Sequence, residues 1–270
     1  MDVKEMVDKV TAQVLARLAE GGRENAGASP SPAGSPGPGQ PAGSGGLAPS
    51  EIARYIDHTL LKPEASREQV ETLCAEAVEH HFYSVCVNAT WTEYCARRLR
   101  GTGVRVCTVV GFPLGAMDGR SKSFEARGAL EAGADEIDMV MNIGALKSGD
   151  TRTVEEDIRW VQRACRPTTV LKVIIECALL SDAEKVLACQ IAKRAGAHFV
   201  KTSTGFAPTG AKLEDVALMR RAVGLEMGVK AAGGIRSYQD AVAMIQAGAS
   251  RLGTSAGVAI VGGAASRGSY

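Results

Sequence analysis

No basic segment followed by an apolar one opens this 270-residue chain; Asp2, Glu5 and Asp8 stand where a secretory signal would carry its positive charges. There is also no uncharged run of about 20 strongly apolar residues, which argues against a membrane span. An intracellular, cytoplasmic location is therefore expected. Excess charge of either sign is missing too: 31 Lys plus Arg stand against 30 Asp plus Glu, so no net field would recruit nucleic acid or an anionic membrane surface. The seven cysteines are scattered, with no C-x-x-C pair, and read as reduced thiols. Of the four histidines only His80 and His81 are adjacent, and helical neighbours point about 100° apart, so zinc ligation by this pair is not supported. Neither a dedicated metal centre nor a cofactor is expected.

What the chain does have is enough apolar residue, 45% against 23% charged, to bury a sizeable core. Proline is nearly absent from residues 50–270 and concentrated before them. Six of the ten prolines fall between Asn25 and Pro49, in a stretch that also holds seven glycines and no charge. Such a segment cannot offset its chain entropy by burial, and residues 21–49 read as a disordered linker. Ahead of it, Val3, Met6, Val7, Val10, Val14 and Leu18 are spaced three and four apart, giving residues 1–20 one apolar stripe. A helix this short is marginal alone. It reads as a tethered amphipathic docking helix, with packing on its own domain as the competing reading.

The body, residues 50–270, repeats one pattern. Short β-branched runs at Ser84–Asn88, Arg105–Val110, Asp135–Met141, Val170–Ile175, Phe199–Thr202, Gly228–Ala231 and Ser250–Gly253 alternate with helical stripes, and Tyr55–Leu60 supplies a first strand. Ser66 with Gln69, Thr90 with Glu93, Thr153 with Glu156, Ser181 with Glu184 and Ser237 with Asp240 have capping-box spacing. Eight β-then-α units in about 220 residues fit an α/β fold of the (β/α)8, or TIM, barrel type. A doubly wound open sheet is the alternative, and the G-x-G-x-x-G turn that would favour it is missing.

Strands of a barrel are covered on both faces, so charges within them need a reason. Asp138, Lys172, Lys201 and Lys230 fall in or at the end of four successive predicted strands. Strand C-termini converge on one mouth, where active sites of this fold lie. A second ammonium nearby lowers a lysine's pKa, and the freed amine can condense with a carbonyl, while a carboxylate moves protons directly or through water. That describes a metal-independent aldolase; a stabilising cluster of ion pairs would use the same residue types. Thr204-Gly205, Gly233-Gly234 and Gly253-Thr254-Ser255 follow the last three strands, where glycine lets backbone N–H groups approach a phosphate. Together they suggest a phosphorylated sugar.

The ordered segments Ile56-Asp57-His58-Thr59-Leu60-Leu61-Lys62-Pro63, Gly133 to Asn142, Leu171 to Glu176, Val200-Lys201-Thr202-Ser203-Thr204-Gly205-Phe206 and Val229 to Arg236 resemble the deoxyribose-phosphate aldolases over nearly all of residues 50–256. The resemblance implies a class I aldolase that reversibly cleaves 2-deoxy-D-ribose 5-phosphate to acetaldehyde and D-glyceraldehyde 3-phosphate. It implies Lys201 as the Schiff-base lysine, Lys230 as the cation that tunes it, and Asp138 as a proton relay with an ordered water. By the same transfer Asp57, Cys86, Lys172 and Thr204 surround the substrate, and Gly205, Gly233, Gly234 and Ser255 bind phosphate. The chain ends in Tyr270, and some relatives place a terminal tyrosine over the site. A homo-oligomer is expected. A transaldolase-like Schiff-base enzyme and a catalytically dead barrel serving as scaffold are the rival functions. Residues 1–20 with their linker resemble the encapsulation peptides that deliver enzymes into bacterial microcompartments, which implies shell or cargo proteins as partners and the compartment lumen as a location; an oligomerisation tag is the rival there.

Overall fold

A computed structural model describes residues 47–263. The helix and most of the linker expected at residues 1–20 and 21–49, and the terminal Tyr270, lie outside the described residues. Leu47 to Pro49, which composition assigns to the linker, belong to the body. Pro49 opens a short helix α1 (Pro49–Ile52), where its missing N–H is no loss, and the Leu47 carbonyl accepts a hydrogen bond from the Tyr238 hydroxyl at 2.6 Å.

Eight strands follow: β1 (Ile56–Leu60), β2 (Ser84–Val87), β3 (Arg105–Val110), β4 (Glu136–Val140), β5 (Val170–Ile174), β6 (Phe199–Lys201), β7 (Gly228–Ala232) and β8 (Arg251–Thr254). Each pairs in parallel with the next, and β8 returns to β1, pairing Asp57 with Gly253, so the sheet closes into a barrel. Every strand lies within a residue or two of its expected place. The remaining helices are α2 (Arg67–Glu79), α3 (Thr92–Arg98), α4 (Gly119–Glu131), α5 (Ile143–Lys147), α6 (Thr151–Ala164), α7 (Asp182–Arg194), α8 (Leu213–Val223), α9 (Tyr238–Gln246) and α10 (Gly257–Val261). The main core forms between barrel and helices from residues such as Ile56, Val85, Ile137, Leu171, Val200 and Val229 on the strands and Val70, Ile158, Ile191 and Val216 on the helices.

Capping boxes form at Ser66, Ser181 and Ser237, where serine and the residue three later satisfy each other's backbone donors. The two threonine expectations are corrected. Thr90 lies in a 3-10 turn, Ala89–Trp91, that runs directly into α3, so its backbone is already turned when the helix begins. Thr153 is inside α6, and the cap is Asp150, whose carboxylate accepts from the Thr153 amide at 3.0 Å and its hydroxyl at 2.7 Å. A carboxylate three residues upstream outcompetes the hydroxyl for the first-turn donors.

Two features shape the barrel, one at the C-terminal end of β4 and one at the N-terminal ends of β6 and β7. Behind β4, the fully buried Lys122 of α4 bonds Asp157 of α6 at 2.7 Å and the Val140 carbonyl at 2.9 Å, while Asp157 also accepts from the Asn142 amide at 3.0 Å. The C-terminal end of β4 is thereby clamped to two helices. Inside the barrel, Gly228 lies beside Phe199, and a Cβ on Gly228 would approach the ring to 2.2 Å. Glycine there leaves room for an aromatic ring on the neighbouring strand.

Candidate active site

Side chains two apart on a strand share a face, so the barrel interior receives Glu136 and Asp138 from β4, Phe199 and Lys201 from β6, and Lys230 from β7. Register then makes neighbours of the charges. Asp138 stands opposite Lys172, Lys201 opposite Lys230, and Lys230 opposite Arg251. Asp138 is the hub: its Oδ1 accepts from Lys172 Nζ at 2.8 Å, and its Oδ2 accepts from Lys201 Nζ at 2.9 Å and Lys230 Nζ at 2.8 Å. Below this layer Asp57 accepts from Lys230 on one oxygen, and on the other from Arg251 at 2.8 Å and the Ser84 hydroxyl at 2.7 Å. Glu136 pairs with Lys172 and, at 3.1 Å, with Arg251. The Arg251 guanidinium lies 3.4 Å from the Tyr83 ring centroid, a cation–π contact that closes the base of the cluster.

The bonding is unequal among the three lysines. Lys172 and Lys230 each touch two carboxylates, whereas Lys201 touches only Asp138. With Arg251, four cations face the three carboxylates Asp57, Glu136 and Asp138, an excess of one positive charge if all are ionised. Loss of one proton from a lysine balances the cluster. Arg251 cannot supply it. Burial would lower Lys172 and Lys230, but Asp138, aided by Glu136 and by Asp57 respectively, overrides that and raises both well above the ordinary lysine range. Lys201 has one carboxylate partner, Asp138. Asp138 itself is pushed up by burial and pulled down further by Lys172, Lys201 and Lys230, to well below the usual carboxylate range. Asp57 follows the same logic under Arg251, Lys230 and Lys172. Folding thus favours both ionised forms; their contribution to stability is complete above the unfolded carboxylate range near pH 3.9 and is lost only as pH falls below it.

These contacts refine the expectations for Asp57 and Lys172. Both are fully buried, with Lys172 bonded to Asp138 and Asp57 bonded to Lys230 and Arg251. Thr204 is also bonded within the protein. Its hydroxyl donates to Glu176 Oε2 at 2.5 Å and accepts from the Phe206 amide at 3.1 Å, and its own amide donates to the same carboxylate at 3.2 Å. The hydroxyl is occupied in holding the loop after β6. Glu176, buried and in the left-handed region at φ 57°, anchors that loop; burial raises its carboxyl pKa against the opposing Thr204 hydrogen bonds. Cys86 packs with Leu61, Cys107, Val109 and Phe112 in an apolar wall. Glu136, Arg251, Ser84, Cys107 and Glu176 are the site residues that sequence reasoning passed over.

Gly205, Gly233 and Gly234 all adopt positive φ, at 90°, 85° and 81°. Their loops meet: a Cβ on Gly233 would stand 2.9 Å from the Gly210 Cα and 3.6 Å from the Gly205 Cα, and the Ala211 amide bonds the Gly233 carbonyl at 3.0 Å. Bare backbone is therefore gathered beyond β6 and β7, which is the surface a phosphate needs. Ser255 is exposed after β8 and also lines a cavity of about 240 Å³ shared with His58, Gln69 and Glu76.

Among the described residues, Cys86, Cys107 and Asp138 are the one group whose donor atoms lie within 4.8 Å of one another with the chemistry of metal ligands. The three ammonium groups bonded to Asp138 oppose a further divalent charge there. No helix among the described residues is long and apolar enough to cross a membrane.

Comparison with known proteins agrees with this geometry. The profile of the DeoC/LacD family aldolases matches residues 52–263. The deoxyribose-phosphate aldolase of Streptococcus pneumoniae serotype 19F (strain G54) is 59% identical over 220 residues, which are 82% of this chain and 100% of that protein. A crystal structure from Coccidioides immitis, assigned to the same enzyme type, superposes with a TM-score of 0.82 at 38% identity and covers 97% of each chain. The tetrameric deoxyribose phosphate aldolase of Aeropyrum pernix superposes with a TM-score of 0.73 at 36% identity, covering 80% of this chain and 91% of that one. A parallel closed barrel with a lysine–carboxylate cluster at its C-terminal mouth and a family match spanning that whole barrel place the chain in the DeoC/LacD family of aldolases.

Proposed function

We propose that the protein is a class I deoxyribose-phosphate aldolase in which Lys201 carries the substrate as a Schiff base. The observation that supports this most is the inequality within the cluster: two lysines doubly paired and held charged, one singly paired beside a surplus of positive charge. The neutral Lys201 amine attacks the aldehyde carbon of open-chain 2-deoxy-D-ribose 5-phosphate, and loss of water gives an iminium ion. Asp138 Oδ2, 2.9 Å from Nζ, faces that new positive charge. A base, Asp138 acting through a water, takes the proton of the C3 hydroxyl, and the C2–C3 bond breaks. Glyceraldehyde 3-phosphate departs, and the electron pair remains as an enamine on Lys201. Protonation at C2 and hydrolysis release acetaldehyde and restore the amine. Lys230 stays protonated throughout and shares Asp138 Oδ2 with Lys201.

The positive-φ glycines of the loops beyond β6 and β7 support phosphate binding there. Gly233→Ala, forced into a positive φ and against Gly210, should raise KM for the sugar phosphate at least tenfold while changing kcat/KM for unphosphorylated deoxyribose less than threefold. Steady-state kinetics with both substrates checks this. Equal losses on both would show that the loop serves the barrel's integrity and not phosphate binding.

Residues 1–20 carry a separate proposal, encapsulation, with shell or cargo proteins of a microcompartment as partners and retention of volatile acetaldehyde as its chemical reason. The apolar spacing in residues 1–20 supports it, together with the charge-free, Gly- and Pro-rich sequence from Asn25 to Pro49. Fusion of residues 1–45 to a fluorescent protein should direct the fusion into a co-expressed shell, and Val7→Glu with Val10→Glu should disperse it. Diffuse fluorescence of the unmutated fusion would reject encapsulation. Assembly of the barrel as a homo-oligomer is proposed on the tetrameric form of the Aeropyrum pernix relative.

A further inference from the structure

We propose that Cys86 and Cys107 form a peroxide-operated dithiol switch inside the barrel, closing to a disulfide that disarms the lysine–carboxylate cluster. The two residues are direct Cα partners on the adjacent strands β2 and β3. Neighbouring strands run about 4.8 Å apart, within the roughly 4.4–6.8 Å Cα separation that a disulfide spans. Both thiols are free, and both side chains face the barrel interior, where their sulfurs and the Asp138 carboxylate lie within 4.8 Å of one another. Neither is exposed, but a route to them is required by the reaction itself. An aldehyde must reach Lys201, whose Nζ is 2.9 Å from Asp138, and Asp138 is 3.2 Å from the Cys107 sulfur. Hydrogen peroxide is smaller than any aldehyde substrate.

The surroundings divide the labour between the sulfurs. A hydrogen bond from Cys107 outweighs burial at Cys86, and Lys230 and Lys201 add their charge, so the Cys86 thiol is lowered below the ordinary range. Cys107 is pushed well above it, first by burial and then by its donation to Cys86 and the nearby Asp138. Cys86 is accordingly the thiolate that attacks peroxide. Its sulfur takes one oxygen, the O–O bond breaks, and the other oxygen leaves as hydroxide that gains a proton to become water. The Cys107 sulfur then attacks the Cys86 sulfenic acid; the S–O bond breaks, and the hydroxyl departs with the Cys107 proton as a second water. The two thiols supply the two electrons that reduce the peroxide.

Closure changes the site because an S–S bond of about 2.05 Å draws the Cys107 sulfur toward β2. The contacts of the Cys107 sulfur with Asp138 Oδ1 at 3.2 Å and with Lys172 Nζ at 3.4 Å are both withdrawn. The carboxylate that organises Lys201 and Lys230 then loses part of its support. The loss of activity rests on the aldolase reading; the cross-link does not, so the two can fail separately.

The test treats the full-length enzyme with hydrogen peroxide and follows non-reduced peptide mapping alongside turnover. The expected result is a Cys86–Cys107 linked peptide, formed in step with a loss of activity of at least tenfold that dithiothreitol reverses. In Cys107→Ala, measured against its own untreated activity, Cys86 should advance to the sulfinic acid and dithiothreitol should no longer restore turnover. The Cys74 and Cys95 sulfurs, 3.7 Å apart between α2 and α3, provide an internal competitor remote from the cluster. A link at Cys74–Cys95 accounting for the inactivation, or inactivation with Cys86 and Cys107 both still reduced, would overturn the proposal. So would a Cys86–Cys107 link that leaves turnover unchanged in an enzyme shown to be an active aldolase.

Discussion

Lys201→Leu should lower kcat for deoxyribose 5-phosphate cleavage by at least about 10⁴-fold, because covalent catalysis has no substitute nucleophile in this cluster. Lys172 and Lys230 cannot step in: each is held charged between two carboxylates. The same change removes one of four cations from a cluster with three carboxylates, so it relieves the surplus charge and leaves Asp138 with two ammonium partners. Thermal stability should therefore be retained to within a few degrees. A variant that keeps appreciable turnover would place the nucleophile elsewhere. A variant that unfolds would show that Lys201 is a structural member of the ion network.

Asp138→Asn has the opposite balance, a loss in both function and stability. The amide keeps the carboxylate's shape but removes the negative charge from the midpoint of three ammonium groups. Glu136 and Asp57 remain for Lys172 and Lys230, while Lys201 is left with no carboxylate contact. Breaking a buried ion network by removing one member destabilises by about 3–5 kcal/mol. Urea denaturation should show a loss of that size, and kcat should fall by about 10²–10⁴-fold through loss of the proton relay and of the iminium's counter-charge. Unaltered stability would mean that the lysines do not depend on Asp138 for their charge.

The barrel was readable because each β-branched run is short and is separated from the next by a helical stripe, a pattern that few folds share. Residues Lys201, Lys230, Lys172 and Asp138 stood out for the physical reason that charge inside a covered strand must be compensated or used. Glu136 and Arg251 carry the same charge anomaly and were passed over because they open their strands, where a side chain is ordinarily solvated; closure of the barrel buries those starts as well. A signal for Glu136 was available, since it lies two residues before Asp138 and so faces the same way. The pairing of Cys86 with Cys107 could not be foreseen across 20 intervening positions, because it depends on the β2–β3 register. Glu176 was hidden differently. Nothing local in its sequence announces a left-handed residue whose carboxylate reaches across to Thr204, and only the fold brings them together. The partners of Asp57 and Lys172 were hidden for a related reason: residue type and strand position identify a charge in the barrel, but only the register shows which side chains it meets.

The central claim, that Lys201 is the nucleophile, is tested most directly by trapping. The enzyme is incubated with acetaldehyde, reduced with borohydride, digested, and mapped by mass spectrometry. One ethyl group per chain, carried on Lys201 and absent when aldehyde is omitted, is the predicted result. An ethyl group on Lys230 or Lys172, or no stable adduct from an enzyme that turns over under the same conditions, would contradict it.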